Sequence, residues 1–404
     1  MNRVLYTMAP YRLLFPLGLF LGIIGVSLWP LFVYGLWPAY PAVMHARIMI
    51  AGFGACFVLG FMGTALPHML ETKGITRIEG WTWATGLMTA SALYLFHQTV
   101  FGDLVFAAVL ILFLGGMAWR WPRRKDMPPP GAVGAGLGLL CGLTGALIQA
   151  LGGAFDLSPF AYLFSKLLFY QGLLLLPVLG IGAFILPVFM GYEKKGHRWR
   201  ISNPPSVEEE DRSLANGGRV FNPPPAWWKE AALILCVAVT LIVSFGLEAI
   251  GRIQAGYALR IIVLVLYFAR YLPVHRHHAI RGALSWNMRL ALLFILSGYA
   301  LAAIWSTHYM AWLHVVFMTG FGLLIFAVAG RVILGHGGRG TLFTARWPSL
   351  WVVFGLIALA MLTRVSADWM PATRFNHYAY AAMCWIPAAM LWGVKMFRYI
   401  LDEE

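Results

Sequence analysis

STHYMAWLHVVFMTGFGLLIFAVAGRVILGHGGRG, residues 306–340, decides how this chain is read. His308 and His314 open the stretch, and an apolar run of about five turns follows. Arg331 closes the run, and His336 stands in Leu-Gly-His-Gly-Gly-Arg at 334–339. A run of this length is a transmembrane helix candidate. An imidazole inside or at the rim of such a helix is costly without a partner, so each histidine is a site hypothesis. His314 and His336 are 22 residues apart, about 33 Å at the helical rise. They therefore mark opposite membrane faces and cannot share one small site.

The whole chain agrees with this stretch. Of its 404 residues, 60% are hydrophobic and only 11% are charged, far from the balance of a soluble domain. The formal charge of +14 does not make it a nucleic-acid binder, because the basic residues sit in short loops between apolar runs and not on one soluble patch. The first apolar run, Leu13 to Trp37, is longer than the core of a signal peptide and no small-residue cleavage site follows it. It reads as a spanning helix. Cys56, Cys141, Cys236 and Cys384 each lie in an apolar run with no C-x-x-C, and read as small buried hydrophobes.

Twelve spans are expected, at 13–37, 44–66, 81–97, 103–119, 131–151, 159–190, 227–248, 257–273, 286–304, 308–331, 347–364 and 375–397. The fold class is all-α, a polytopic membrane protein. The sixth span is long, and Pro177 and Pro187 are placed to kink it. The glycines of GAVGAGLGLLCGLTGA (131–146) permit close helix packing in lipid. Putting both termini in the cytoplasm leaves 24 of the 30 Lys and Arg residues inside. The exceptions are Arg47, Arg252, Arg260, Arg364 and Arg374 outside and Lys166 within a span, a strong positive-inside asymmetry. Gly191 to Trp227 is rich in Pro, Asn and Glu and reads as a cytosolic linker. The expected organisation is a first six-helix half (1–190), the linker (191–226) and a second six-helix half (227–404).

With that topology the histidines sort by side. His45, His97, His308, His314 and His377 fall at or near the outer ends of spans, and His68, His197, His275, His277, His278 and His336 on the cytoplasmic side. Neutral imidazole is the commonest metal ligand and a haem axial ligand. Helical bundles build such sites from facing helices. A cofactor or metal site at the outer rim follows, with His45 and His314 as first candidates and His308 and His377 nearer the water. Each could equally be a satisfied packing residue. Arg47, Arg260, Arg364 and Arg374 are the outer cations that could meet haem propionates or simply reach the headgroups. A second, inner cofactor would use His68 and His336, with glycines around His336 allowing close approach and Arg339 facing an anionic group. Lys166 is expected to pair with Asp156 or reach the interface. His-x-His-His at 275–278 lies among Arg270, Arg276 and Arg281 and reads as a face for lipid headgroups. Walker A, G-x-S-x-G and H-E-x-x-H motifs are absent from the chain.

Several short motifs resemble the NnrS family of bacterial membrane proteins. Pro10-Tyr11-Arg12 with Phe15 is similar to its opening PYRPFF. His45-Ala46 leading to Met49 and Gly52-Phe53 resembles WHAHEM and a following GF run. Gly60-Phe61 with Thr64-Ala65 and Pro67 resembles GFLLTAVPNW. His314, Gly320, Arg331 and Leu334 to Arg339 resemble a pattern like HALTVGAIG…TRASLGHTGR. Arg47 and Ile48 stand where that family has a second His and a Glu, His68 replaces an Asn, and Arg289 falls where a His is usual. The resemblance implies a protein of the bacterial cell inner membrane carrying haem b and copper. It would handle nitric oxide or iron-nitrosyl species in nitrosative stress or denitrification, and His45, His314 and His336 carry over. Two other readings stand beside it. One is a membrane b-type electron carrier exchanging electrons with quinol. The other is a twelve-helix transporter, although HMLETKGITRIEG (68–80) lacks the G-x-x-x-D-R-x-G-R-type loop motif of major-facilitator carriers.

Overall fold

The structure, a computed structural model, describes residues 8–190, 225–272 and 282–401. Among these residues the regular elements are all helical. They are α1 (Tyr11–Val33), α2 (Ala42–Met69), α3 (Arg77–Leu95), α4 (Thr99–Arg123), α5 (Ala132–Leu151), α6 (Pro159–Gly180) and α7 (Gly182–Phe189). After the linker come α8 (Ala226–Ala249), α9 (Ile253–Tyr271), α10 (Gly282–Ile304), α11 (Ser306–His336), α12 (Pro348–Trp369) and α13 (Pro371–Phe397). Eleven of them are long and apolar enough to cross a membrane. Large apolar side chains such as Val243, Ile262, Leu266 and Leu359 are exposed on their outer faces, as lipid contact requires. The chain is a multi-pass membrane protein.

The difference from the expected twelve lies at 81–97. That segment is helical within α3, but Arg77, Glu79, Thr82, Thr85, Thr89 and Ser91 leave it less apolar than the other long helices. A capping box starts it, with Thr76 accepting from the Glu79 N–H and Glu79 accepting from the Thr76 N–H. It runs antiparallel to α4 along its whole length. Glu79 meets Arg120 at 2.8 Å at one end, and the Tyr94 hydroxyl donates to Asp103 at 2.9 Å at the other. The long sixth span is broken at Ile181, between α6 and α7. Pro177 removes a helical hydrogen bond one turn earlier. Most of the linker expected at 191–226 lies outside the described residues, as do His197, His275, His277, His278, Arg276 and Arg281.

The glycine stripe of α5 does what its spacing predicts. Gly131, Gly138, Gly142 and Gly145 face α6, and α6 answers with Gly180. A Cβ on Gly145 would fall 2.5 Å from the Ser165 carbonyl oxygen and 2.6 Å from the Phe169 nitrogen. Those are backbone atoms and cannot swing aside. We expect Gly145→Leu to cost about 1–3 kcal/mol or more and to lower the melting temperature in detergent. Gly136→Leu, where nothing lies within 4 Å, should leave it in place.

Elsewhere α1 packs on both α2 and α13, α2 meets α11, and α10 runs beside α11. The first and last long helices are therefore neighbours. Three of the spanning helices contain a π-helical stretch: Ile48–Gly54 in α2, Leu168–Gly172 in α6 and Val315–Gly322 in α11. Such wide turns are rare and are frequent at functional sites. Two of them start immediately after Arg47 and His314.

Candidate functional site

The end of the bundle that carries His45 holds four of the sequence-derived candidates. His45 lies in the first turns of α2, where its Nδ1 is 2.9 Å from the Gly25 carbonyl oxygen of α1. His314 ends the first α-helical turns of α11, and its Nδ1 is 2.7 Å from the carbonyl oxygen of Met310, one turn back. A carbonyl only accepts, so in both rings Nδ1 carries the proton and Nε2 keeps its lone pair. Among the described residues neither Nε2 has a hydrogen-bond partner. The two imidazoles lie within electrostatic range of each other, and the Arg364 guanidinium within range of both. Arg364 donates to Asp368 at 3.2 Å and sits 4.3 Å over the Tyr378 ring. Trp29 wedges between Tyr378, at 4.6 Å, and His45, at 5.9 Å.

Imidazoles from two separate helices are thus held in one tautomer with the ligating nitrogen open. Backbone carbonyls fix metal-binding histidines in this way. The π-helical stretch that follows His314 separates the register of its turn from that of the rest of α11, so ring placement there need not follow the packing below.

His308 and His377 are held in contacts of their own. His308 stacks on Trp369 at 4.5 Å, and His377 Nδ1 is 3.1 Å from the Ser366 hydroxyl. Among the described residues no three His, Cys, Asp or Glu side chains gather closely enough to hold a metal ion. The four expected metal residues therefore do not form one cluster. At the opposite end, His68 stands exposed at the end of α2, while His336 is half-buried with its ring stacked 5.3 Å from that of Tyr11. Arg339 is exposed. His97 is exposed in a turn with φ +62°.

Arg47 corrects the expectation made for it. It does not face the imidazoles as a partner for an anionic group, because Asp103 consumes it. Arg47 Nε donates to Oδ1 at 2.9 Å and Nη2 to Oδ2 at 2.8 Å, with Asp103 completely buried. Tyr94 donates to the same carboxylate, and Arg47 reaches Gln149 at 3.4 Å. Arg260 is spoken for in the same manner: its Nη2 donates to Glu248 at 2.8 Å, its Nη1 to Gln171 at 2.9 Å and its Nε to Ser244 at 3.1 Å. Tyr257 donates to Glu248, and Tyr299 donates to Gln171. Among the described residues Lys166 forms no ion pair with an acid. It lies 5.9 Å from the Tyr170 ring, within electrostatic range of both Arg47 and Glu248. Gln171 belongs to the π-helical stretch of α6, and Gln149 of α5 donates to Ser165 and to the Tyr162 carbonyl of α6, so both ion pairs are tied to α6. The sequence reading passed over Asp103, Gln149, Gln171, Tyr94 and Tyr257. A signal for Asp103 was available: a single carboxylate inside TVFGDLVFAAVLILF needs a cation on a neighbouring helix.

The cysteines divide. Cys56 and Cys141 are buried as expected, Cys384 is half-exposed, and Cys236 is exposed on α8.

Comparison with curated proteins returns no match. The family described as NnrS protein matches residues 6–403, nearly the whole length. With that extent of match, and with the family-like motifs around His45 and His314 brought to one end of a helical membrane bundle, the chain belongs to the NnrS family.

Proposed function

We propose that this NnrS-family chain is a haem protein of the bacterial inner membrane that binds nitric oxide, with His45 and His314 holding the cofactor. One observation carries the reading. Two imidazoles from α2 and α11 lie within electrostatic range of each other, each with Nδ1 tied to a backbone carbonyl and Nε2 open.

The other residues fit such a group. Haem carries two carboxylates, and Arg364, which gives Asp368 a single hydrogen bond at 3.2 Å and so keeps donors to spare, stands within range of both rings. Trp312, packed against Trp369 at 5.4 Å, has a buried Nε1 with no acceptor among the described residues. A buried N–H left unmet costs about 1–3 kcal/mol, so a carboxylate beside it would be stabilised. Haem iron, when bound, supplies the site for a diatomic gas. The chain's own part is to orient the two rings, meet the carboxylates and keep water out. Its apolar surroundings also admit a neutral gas from the lipid. Copper fits less well, since two imidazoles fall short of the three or more donors usual for a protein-held copper ion.

An optical spectrum tests this. Protein expressed with ample haem should show a Soret band that shifts when nitric oxide is added. A haem-free spectrum under those conditions sinks the proposal. A low-spin bis-histidine spectrum that ignores nitric oxide would favour the quinol-linked electron carrier instead.

The proposal includes a topology with both termini in the cytoplasm and α3 counted as a twelfth span. The antiparallel course of α3 beside α4 supports it. A fluorescent protein fused after residue 404 should then be bright and alkaline phosphatase fused there inactive. The reverse pair of results would place the C-terminus outside.

A further inference from the structure

The second end of the bundle carries an unassigned feature that does not involve His45 or His314. An apolar groove, with about 740 Å³ of space counting its open side, lies between α2, the α6–α7 segment and α11. Phe57 and Met62 of α2, Leu174 and Ile185 of α6 and α7, and Ile325 and Val328 of α11 line it. Val58, Val178, Ile325 and Val328 among the lining residues are half-exposed. They lie within spanning helices, so the groove opens sideways toward hydrocarbon. From Leu174 to Leu186 it runs about 18 Å at the helical rise, close to half of a hydrocarbon core about 30 Å thick.

Arg331 stands just past one end of it. Arg331 follows the lining residues Val328 and Ala329 by less than a turn, and Phe189 follows Ile185 by one turn. The Phe189 carbonyl oxygen accepts from Arg331 Nη2 and from the Ser285 hydroxyl. Leu284 packs on Gly330, which sets Ser285 level with Arg331. Arg289 is one helical turn beyond Ser285 on the same face of α10. Arg331 is 7% exposed and Arg289 8%. Neither has an acidic partner among the described residues, and Arg331 Nε and Arg289 Nη1 are buried with no acceptor. A buried guanidinium without a counter-ion is costly. Arg47 and Arg260 show how this fold treats an arginine meant to be structural: each has a carboxylate within 2.8 Å.

We propose that the groove and these arginines form a binding site for an anionic phospholipid of the adjoining leaflet. One acyl chain lies in the groove, and the phosphate meets Arg331 and Arg289. The chain-length slot and the uncompensated positive charge select the same amphiphile. Guanidinium groups favour a phosphate with no ammonium of its own over a zwitterionic headgroup.

The test uses the full chain in phosphatidylcholine nanodiscs containing a minor share of phosphatidylglycerol, released and weighed by native mass spectrometry. Phosphatidylglycerol should be retained in preference to phosphatidylcholine. The double variant Arg289→Gln/Arg331→Gln should lose that retention by about tenfold or more. Val328→Trp, which fills the groove and leaves both arginines, should lose it too. Arg289→Lys/Arg331→Lys should keep part of it, with a melting temperature near that of the parent chain to show that charge and not folding is being read. Equal retention of the two lipids, or retention unchanged in the glutamine variant, overturns the proposal. So does full displacement by inorganic phosphate that binds Val328→Trp equally well, since the site would then be one for the free anion.

Discussion

Asp103→Ala should be among the most destabilising single substitutions in the bundle. It removes the acceptor of two Arg47 hydrogen bonds and one from Tyr94. What remains is a guanidinium 7% exposed whose one other hydrogen-bond partner among the described residues is Gln149. Hydrogen bonds between membrane helices contribute little each, about 0.6 kcal/mol on average. The uncompensated charge decides the outcome, and breaking a buried pair from one side costs about 3–5 kcal/mol. Glu248→Ala should behave alike, because it strands Arg260, which is completely buried. The check is thermal unfolding and monodispersity in mild detergent. Replacing both partners, as in Arg47→Met/Asp103→Leu, should recover most of the loss, because no charge is left behind. Unchanged melting in Asp103→Ala would mean that the pair is not closed in the membrane.

His45→Ala and His314→Ala are expected to empty the cofactor site while leaving the bundle intact. Each ring spends one nitrogen on a backbone carbonyl, of Gly25 or of Met310. Losing that contact costs a single hydrogen bond, on the order of 1 kcal/mol. The open nitrogen is the one that matters for ligation. Haem per chain should fall by about tenfold or more in either variant, as removal of a tuned ligand environment does elsewhere. The double variant should fall little further, because the two act as one unit. His308→Ala and His377→Ala, whose rings are engaged with Trp369 and Ser366, should keep the Soret band. Retention of full haem content in both His45→Ala and His314→Ala would remove these residues from the site. Pyridine haemochrome assay and elution profile together read the effect apart from folding.

Local patterns announced much of this architecture, because lipid imposes its rules locally. A backbone in hydrocarbon must satisfy its own hydrogen bonds, so an apolar run of span length has one answer, a helix. That is why ten of the expected spans reappear as single long helices, and why the glycines at 131–145 could be read as a packing stripe before any partner was known. The exception at 81–97 has the same root. Thr82, Thr85 and Ser91 lower its apolarity, while contacts with α4 at both ends keep it helical. Side chains were less legible. Arg47 next to His45 looked like a cation for an anionic ligand, yet a carboxylate 56 residues away claims it. The π-helical stretches after Arg47 and His314 left no compositional trace, since they depend on what the neighbouring helices press against.

Composition and periodicity alone thus determined that this is a helical membrane protein, roughly where its helices run, and that His45 and His314 lie at the end opposite His68 and His336. Only the tertiary structure decided which charges cancel, as Arg47 with Asp103 and Arg260 with Glu248, and which stay open, as Arg289, Arg331 and the Nε2 atoms of His45 and His314. The reason is physical: helix formation in lipid depends on each residue's own transfer free energy, whereas an ion pair depends on which helices lie side by side at one depth.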